Sequence, residues 1–413
     1  MPSLQPVRGT HDLLPDEFRR HRKVIDTARA VAESYGYAEM STPIFEFTDT
    51  FARTMGETSD VVSKEMYTFE RSGETLTLRP EYTAGLCRAF ISNGLQQHAP
   101  VKVFAHGPMF RYERPQKGRQ RQFHQIDVEV IGTAEPEADV EVIVLAADVL
   151  QRLGVLDKCV LELNSLGDRD SRQAYRQVLV DYLEGHRGAL SADSLARLER
   201  NPLRILDSKD EGDRRIVASA PEIAGSFTQA STDFFAAVRA GLDAAGVRYT
   251  VNPRLVRGLD YYTHTAFEFV TDALGAQGTV IGGGRYDGLI EMLGGNPAPG
   301  IGWAGGIERL AMLAGEPAPA RKPIAIIPIG ATAELAAQRL ARDLRASGLH
   351  IELGYKGNTG KRMKRADKLG CTAAIIIGDN ELAAGVAMLR DLTTGTQAEV
   401  PLAELAQRLQ PRD

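Results

Sequence analysis

The sequence predicts an α+β domain built on an antiparallel sheet, interrupted by a helical insertion and followed by a small α/β domain. Three observations predict this arrangement. Two strand-like runs, 103–113 and 123–132, flank a nine-residue polar loop, which is typical of an antiparallel hairpin. The stretch 168–230 is helical and charged and separates two strand-rich blocks. After a Pro- and Ala-rich stretch at 315–323, buried strands alternate with helices.

The elements of the first region follow from periodicity. Apolar residues at helical spacing predict helices at 16–35 and around 138–153. Strands are predicted at 103–113, 123–132, 161–167, 266–271 and 279–284. Strand pairs joined by a short polar loop favour antiparallel pairing over crossover connections.

The elements of the last region alternate. Strands are predicted at 324–330, 349–357 and 372–381, and helices at 333–348 and 361–370. A helix between successive strands favours a mainly parallel sheet within about 90 residues.

Domain boundaries follow from these patterns. A chain of 413 residues is long enough for two to four domains of roughly 100–200 residues. We expect the antiparallel domain to comprise 1–167 and 231–315, and the helical insertion to comprise 168–230. A linker is expected at 316–322, and the α/β domain at 323–413.

Composition excludes several classes of protein. Hydrophobic residues make up 43% and charged residues 25% of the chain, as in soluble globular proteins. No apolar run approaches the roughly 18 residues of a membrane span, and the N-terminal residues lack a signal-peptide core. Cys87, Cys159 and Cys371 lie far apart, which argues against disulfides or a thiolate metal site. We therefore expect reduced thiols and a cytoplasmic location.

The histidines predict no metal site. None of the eight lies in an HExxH motif or at a spacing typical of zinc ligands, so no structural metal held by the protein is expected. His11, His106 and His124 are interpreted as hydrogen-bonded structural groups.

Charge is distributed unevenly. The net charge is −5, but from Arg321 onward 14 Lys and Arg oppose 10 Asp and Glu, a net of +4 that leaves −9 for the first 320 residues. This asymmetry suggests that the last domain contacts a polyanion.

The hairpin loop 114–122 is cationic. Arg114, Lys117, Arg119 and Arg121 lie in it without an acid, and Arg111 precedes it. Guanidinium groups on a rigid hairpin suit phosphate oxygens, although charge alone leaves a solvated basic turn as an alternative.

The strands beside this loop carry polar residues on one face. Arg111 and Glu113 share a face by strand periodicity, as do Gln125, Asp127 and Glu129. Acids and an amide beside a cationic loop predict a site for an amino acid next to a phosphate.

Three further segments suggest chemistry. Arg257 stands in an apolar setting before Asp260, Tyr261 and Tyr262, so it either faces a ligand or forms a structural pair with Asp260. In 281–289 the glycines permit close backbone approach without the spacing of a dinucleotide fingerprint. In 300–313 the glycines lead into a helix that carries Glu308 and Arg309 near its start.

Six segments resemble one family. FRYERPQKGRQRQFHQIDVEVIG resembles motif 2 of class II aminoacyl-tRNA synthetases, and GIGWAGGIERL resembles their motif 3. LVRGLDYYT and GGGRYDGL are similar to the two peptides peculiar to histidyl-tRNA synthetases, and RGTHDLLP and TLRPEYTA match that family's N-terminal region. The segments occur in the family's order nearly from end to end.

The resemblance implies a fold, a reaction and partners. The family has a class II catalytic domain with a six- or seven-stranded antiparallel sheet, a helical insertion and a C-terminal anticodon-binding domain, and it forms homodimers. Its members convert L-histidine and ATP, a substrate that carries Mg²⁺, to histidyl-adenylate. They then acylate the 3′ end of tRNA(His).

The resemblance also implies residue roles. Arg111 and Arg257 would be catalytic at the α-phosphate, and Arg111, Arg119 and Arg309 would bind ATP. The histidine-binding residues would be Glu81, Thr83, Gln125, Glu129, Tyr261, Tyr262 and Tyr286. The residues in contact with tRNA would be Arg114, Gln116, Lys361, Lys364, Arg365 and Lys368, the last four of which recur on one helix face. The chain departs from the family at Tyr82, usually glycine, and at Gln120, commonly tyrosine.

Two alternatives belong to other classes. A catalytically silent paralogue of the ATP phosphoribosyltransferase regulatory type senses histidine on the same fold, but it lacks the anticodon domain and the RGLDYY peptide. A pure RNA-binding module would leave the paired acids and the arginines unexplained.

Overall fold

The computed structural model describes residues 3–55, 62, 65–116, 118–257, 261–275 and 278–410. The chain divides into two compact units, Met1–Pro317 and Ala318–Asp413. Within these described ranges no helix is both long and apolar enough to cross a bilayer.

The first unit is built on strands. They are β1 Ala38–Glu39, β2 Phe45–Phe47, β3 Tyr67–Arg71, β4 Glu74–Leu78, β5 Val101–Phe110, β6 Gln122–Ile131, β7 Val160–Ser165, β8 Thr250–Val251, β9 Thr263–Val270, β10 Thr279–Arg285 and β11 Gly300–Gly306. Eight of them form one sheet in the order β1-β5-β6-β11-β10-β9-β7-β8. The six central strands are antiparallel, and the two-residue edge strands β1 and β8 pair in parallel. A separate small sheet has the order β2-β4-β3.

The helices of this unit flank and interrupt the sheet. They are α1 Pro15–Ser34, α2 Thr48–Met55, α3 Thr83–Ser92, α4 Pro136–Arg152, α5 Arg169–Glu184, α6 Ala192–Arg200, α7 Glu211–Ala218, α8 Gln229–Ala244, α9 Leu289–Met292 and α10 Ile307–Leu313. The predicted antiparallel hairpin is confirmed as β5 and β6, and the predicted helices as α1 and α4. The strand β11 and the small sheet were not predicted.

The alternation along β6 separates the core from the site. Ile126, Val128 and Val130 point into the main core, where α1, α4 and α10 cover one face of the sheet. Gln125, Asp127 and Glu129 point to the opposite face, because successive strand residues alternate. The sheet therefore presents its polar side chains on the face that lies away from those helices.

Helix α4 is fixed to the sheet by a buried ion pair. Arg285 on β10 and Asp139 on α4 are both fully buried and paired, and Arg285 also donates to the carbonyls of Thr133 and Glu135. These additional hydrogen bonds offset part of the cost of burying the two charges.

The stretch predicted as an insertion contains α5, α6, α7 and the start of α8. Asp213 organises it by accepting from the hydroxyls of Ser191, Ser194 and Ser208 at 2.6–2.7 Å. Burial alone would raise the pKa of Asp213, but these hydrogen bonds and one from the Ser191 N–H outweigh it and hold the pKa at about 2. Helices α6 and α7 thus meet around an ionised carboxylate.

The second unit is an α/β sandwich. Its elements are β12 Ile324–Ile329, α11 Ala331–Ala346, β13 Ile351–Leu353, α12 Thr359–Lys368, β14 Ala373–Gly378, α13 Asp379–Ala384, β15 Val386–Asp391, β16 Gln397–Pro401 and α14 Leu405–Leu409. The order is β13-β12-β14-β15-β16, with the first three strands parallel, as predicted. The last two strands add an antiparallel hairpin that was not predicted.

Candidate active site

A cavity of about 300 Å³ opens on the polar face of the sheet. Every residue predicted to bind histidine or ATP, or to act in catalysis, lines it. These residues are Glu81, Thr83, Arg111, Arg119, Gln125, Glu129, Arg257, Tyr261, Tyr262, Tyr286 and Arg309. Their placement is observed, and their roles stay predictions.

One end of the cavity is acidic and centred on Glu129. Its carboxylate accepts from Thr83 Oγ1 at 2.6 Å and from the Tyr286 hydroxyl at 2.5 Å. Burial raises the pKa of Glu129 to about 8, although these two hydrogen bonds act in the opposite direction. Gly302 makes room for it, because a Cβ there would lie 1.7 Å from Glu129 Oε2.

Glu81 extends this acidic end. It precedes α3, and its Oε1 accepts from the backbone N–H of Ala84 at 2.8 Å. Burial raises the pKa of Glu81, while the hydrogen bonds and the charge of Arg111 lower it in part. The carboxyl is therefore held in a fixed orientation beside the cavity.

Asp127 is a site residue to which the sequence analysis gave no role. It is 1% exposed and lies between Gln125 and Glu129 on the same face of β6. Among the described residues neither of its carboxylate oxygens has a hydrogen-bond partner. Burial and the neighbouring acids raise its pKa well above the ordinary value. The alternation of polar residues along the strand had already placed Asp127 on the same face as Gln125 and Glu129.

Three tyrosines form a wall of the cavity. The rings of Tyr261 and Tyr262 lie 4.6 Å apart between centroids, and Tyr261 meets Tyr286 edge-on at 6.0 Å. Burial raises the pKa of each hydroxyl, so all three are neutral near pH 7. The wall therefore combines flat apolar surface with hydroxyl donors.

The other end of the cavity is cationic. Arg111 is held by a hydrogen bond from its Nε to the carbonyl of Pro80 at 2.9 Å, and its guanidinium lies 5.3 Å from the centroid of the Phe123 ring. Burial lowers the pKa of Arg111. A buried guanidinium whose charge is disfavoured by desolvation favours an anionic ligand.

Arg309 lies at the same end. It donates to the carbonyls of Gly118 and Thr279 at 3.1 and 2.7 Å, which joins the start of α10 to the hairpin loop and to β10. Burial and the nearby charges of Arg119 and Arg111 lower its pKa. The guanidinium groups of Arg111, Arg119 and Arg309 give this end of the cavity a positive charge, which suits an anionic ligand.

Arg257 forms an ion pair that the sequence analysis did not foresee. Its partner is Glu268 on β9, which also accepts from Thr279 Oγ1 at 2.7 Å. The proposed alternative partner, Asp260, lies outside the described residues. Burial opposes the charge of Arg257, but Glu268 and Tyr262 outweigh it and raise the pKa. A Cβ at Gly282 would lie 2.8 Å from this guanidinium, so a larger residue there would displace it.

A second cavity of about 690 Å³ continues from the first. The two share Arg111, Glu113, Arg119 and Arg257. From the insertion the second cavity is lined by Ser191, Ala192, Asp193, Arg197, Arg204, Asp207, Ser208, Lys209 and Asp210. The insertion therefore faces the cationic end of the sheet.

The hairpin loop is anchored at its base. The Arg121 guanidinium lies 3.8 Å from the centroid of the Tyr112 ring, and the Arg121 backbone N–H donates to the carbonyl of Gly9 at 2.7 Å. Gln116 pairs through its backbone with Arg119. Arg114 and Gln116 do not line the cavity, and Lys117 lies outside the described residues.

The two departures from the family pattern have different environments. Tyr82 is fully buried outside the cavity, donates to the carbonyl of His106 at 3.0 Å and packs beneath Arg79. Gln120 lines the cavity. Tyr82 therefore changes core packing, whereas Gln120 changes the ligand-facing surface.

The four basic residues predicted on one face of α12 are all exposed or partly exposed. They are Lys361, Lys364, Arg365 and Lys368. Arg365 pairs with Glu352 at 2.8 Å. Beside the helix lies a cavity of about 480 Å³ whose lining includes Tyr355, a side chain that is 95% exposed.

The antiparallel sheet, its buried acids and its clustered arginines define the class as a class II aminoacyl-tRNA synthetase. Residues 9–310 match the family model of histidyl-tRNA synthetase, and residues 323–412 match that of an anticodon binding domain. The chain belongs to the histidyl-tRNA synthetase family, and it is a ligase.

Individual relatives agree with this assignment. A histidine–tRNA ligase of Rhodospirillum rubrum is 61% identical over 411 residues, which are 99% of each chain. One from Thermosynechococcus vestitus is 50% identical over 97% of this chain and 95% of its own. The crystal structure of apo S. aureus histidyl-tRNA synthetase is 35% identical, covers 98% of this chain and 99% of its own, and has a TM-score of 0.83. The comparisons give no support to the paralogue alternative.

Proposed function

We propose that the cavity performs both steps of a histidine–tRNA ligase. L-histidine and ATP give histidyl-adenylate and pyrophosphate, and the histidyl group then passes to the 3′ end of tRNA(His). The observation that carries this proposal is one cavity with buried acids at one end and arginines at the other.

Histidine occupies the acidic end. Glu129, held by Thr83 and Tyr286, accepts a hydrogen bond from an N–H of the imidazole. The tyrosine wall packs against the imidazole ring. Glu81 and Gln125 receive the α-ammonium group. An isostere that lacks the hydrogen-bonding groups of histidine would leave these buried side chains unpaired. Such a site can favour the correct amino acid over the isostere by roughly 10⁴–10⁵ in kcat/KM without editing.

Asp127 adds an acceptor for the α-ammonium. It lies between the residue assigned to the imidazole and Gln125, and its oxygens lack partners among the described residues. A ligand ammonium would supply the missing hydrogen bonds and would favour the ionised carboxylate, which burial disfavours in the free protein.

The arginines act on ATP. The carboxylate of histidine attacks the α-phosphorus, a P–O bond forms, and the bond to pyrophosphate breaks. Arg111 and Arg257 bind the oxygens of the α-phosphate, where charge develops, and Arg119 and Arg309 bind the outer phosphates. Mg²⁺ enters with ATP as part of the substrate. Cations that are already fixed in a desolvated site stabilise such a transition state by several kcal/mol.

The tRNA reaches both units. Its 3′ end enters the second cavity, which is lined by the insertion and shares Arg111 and Arg257 with the first. Arg114 and Gln116 on the hairpin loop contact the acceptor end. The α/β domain, proposed to start at residue 323, binds the anticodon arm through α12 and through Tyr355, an exposed aromatic ring suited to base stacking.

A homodimer is supported by an exposed aromatic surface on the small sheet. Phe45, Phe47 and Phe69 are 54, 57 and 43% exposed. Exposed aromatic clusters of this kind are typical of interfaces. Sedimentation of the wild type and of a Phe45→Glu, Phe47→Glu variant would test it, with a monomeric wild type refuting the dimer.

The experiment that tests the function measures histidine-dependent ATP–pyrophosphate exchange and charging of tRNA(His) transcript. We expect exchange with L-histidine and none with L-glutamine or L-phenylalanine. Exchange with either of these analogues at a comparable rate would contradict the proposed recognition, and histidine binding without exchange would contradict the enzymatic assignment.

A further inference from the structure

A cluster of metal-binding side chains lies at the edge of the nucleotide end of the site, and one of its members, Glu308, also lines the main cavity. His21 of α1, His124 of β6 and Glu308 of α10 each place one ligand atom within 4.8 Å of the other two. His21 is 4% exposed, and the other two are partly buried. The cluster borders a cavity of about 320 Å³ whose lining also includes His11 and Glu17.

Glu308 is fixed before any ion binds. It accepts from the backbone N–H of His124 through both carboxylate oxygens, at 2.9 and 3.1 Å. His124 Nδ1 lies 2.9 Å from Glu308 Oε1. This nitrogen and oxygen are already adjacent, so a metal can take the place of the hydrogen between them. A neutral imidazole then carries its single hydrogen on Nε2, and an imidazolium releases its Nδ1 proton to water.

The two imidazoles have the spacing of a shared metal. Their ring centroids lie 5.5 Å apart, with an angle of 78° between the planes. Two imidazoles bound tetrahedrally at a Zn–N distance of about 2.1 Å would have centroids roughly 5 Å apart. The observed separation of the two rings is therefore close to that of two imidazoles on one ion.

We propose that His21, His124 and Glu308 form a binding site for a divalent transition metal of the Zn²⁺ type. Two imidazole nitrogens and one carboxylate oxygen are a zinc donor set that leaves a fourth position for water. The cavity lined by His11 and Glu17 has space for that water. No metal-ligand spacing is visible in the sequence, because the ligands come from three segments distant in the chain.

The ion would join three elements that surround the nucleotide end. It would link α1 to β6 and α10, and the neighbours Phe123 and Arg309 line the main cavity. An ion that binds only the folded chain stabilises it by mass action, so the melting temperature rises with metal concentration.

The test uses full-length protein without a histidine tag, freed of metal by chelation. Zn²⁺ binding is measured by equilibrium dialysis, and Co²⁺ binding by visible absorption. The variants are His21→Phe and Glu308→Gln. The matched control is His106→Phe, which removes a histidine that also lies beside a carboxylate, at 3.0 Å from Glu39.

We expect one equivalent of metal per chain, a rise in melting temperature, and Co²⁺ bands without thiolate charge transfer. Affinity should fall at least tenfold in both variants and stay unchanged in the control. Absence of saturable binding, retention of binding in His21→Phe, or thiolate bands from Cys159 would each overturn the proposal. Circular dichroism of each variant separates loss of the site from loss of the fold, and none of these measurements depends on aminoacylation.

Discussion

Thr83 donates a hydrogen bond of 2.6 Å to Glu129, which joins the first residue of α3 to the C-terminal part of β6. The bond crosses the acidic end of the cavity and, with the Tyr286 hydroxyl, fixes the carboxylate. A carboxylate held from two sides cannot follow a misplaced ligand, so its position selects the ligand. The proposed imidazole specificity depends on this arrangement.

Replacing Glu129 with glutamine should raise the KM for histidine about 10- to 100-fold, because the variant no longer offers a carboxylate to the imidazole N–H. The KM for ATP should change little. Steady-state pyrophosphate exchange with each substrate varied in turn measures both constants. The control is Glu46→Gln, which removes a buried carboxylate paired with Arg88 outside the cavity. An unchanged histidine KM would place the imidazole elsewhere.

The pH profile should depend on Tyr286. The pKa of Glu129 is raised to about 8, so its carboxylate forms as the pH rises through that value, and kcat/KM for histidine should rise with it. The Tyr286 hydroxyl stabilises the carboxylate and lowers this pKa. Tyr286→Phe should therefore move the rise to higher pH. If kcat/KM for histidine rose at the same pH in Tyr286→Phe as in the wild type, ionisation of Glu129 would not control histidine binding.

Strand alternation predicted much of this site, because it places Gln125, Asp127 and Glu129 on one face whatever the rest of the fold does. It could not predict β11, whose sequence GIGWAGG has little strand propensity. Glycine is required within that strand because Glu129 lies over Gly302, a proximity visible only in three dimensions.

Pairings between side chains of distant segments could not be predicted from the sequence either. Arg257 was expected to pair with Asp260 or with a ligand, and it pairs with Glu268 on β9. His21 and His124 belong to different elements, so no spacing rule brings them together. In both cases the topology of the sheet decides which side chains meet.

Arg257→Ala should lower the rate of pyrophosphate exchange at least 100-fold while histidine binding, measured by calorimetry, changes little. The guanidinium is proposed to stabilise charge that develops only in the transition state. A decrease below about tenfold, roughly 1.4 kcal/mol, would contradict a catalytic role. Thr279→Val is the control, because it removes a hydrogen bond to Glu268 and leaves Arg257 in place.

Asp127→Asn should raise the KM for histidine while the variant gains thermal stability. The carboxylate is buried without a partner among the described residues, so its removal relieves a desolvation cost in the free protein. Binding should weaken because the α-ammonium no longer meets a charged acceptor. Histidinol keeps the α-ammonium of histidine and lacks its carboxylate. The affinity of the variant for histidinol should therefore fall by the same factor as its affinity for histidine. If the variant were more stable and its affinity for both compounds were unchanged, Asp127 would not contact the ligand.

Helix α12 is the proposed contact with the anticodon arm of tRNA(His). Lys361, Lys364, Arg365 and Lys368 lie on one face, within a region of net charge +4. Replacing all four with glutamine should weaken binding of tRNA(His) and leave histidine-dependent exchange intact, because adenylate formation needs only the catalytic cavity. For every phosphate that the variant no longer neutralises, the slope of log K against log salt concentration should become shallower by about 0.7–0.9. Arg339→Gln, Arg342→Gln on α11 is the control that removes positive charge from another helix of the same unit.

Truncation near Pro317 should have the same effect in stronger form, with exchange retained and charging abolished. Equal charging of tRNA(His) by the truncated, folded chain would show that the second unit does not bind the tRNA.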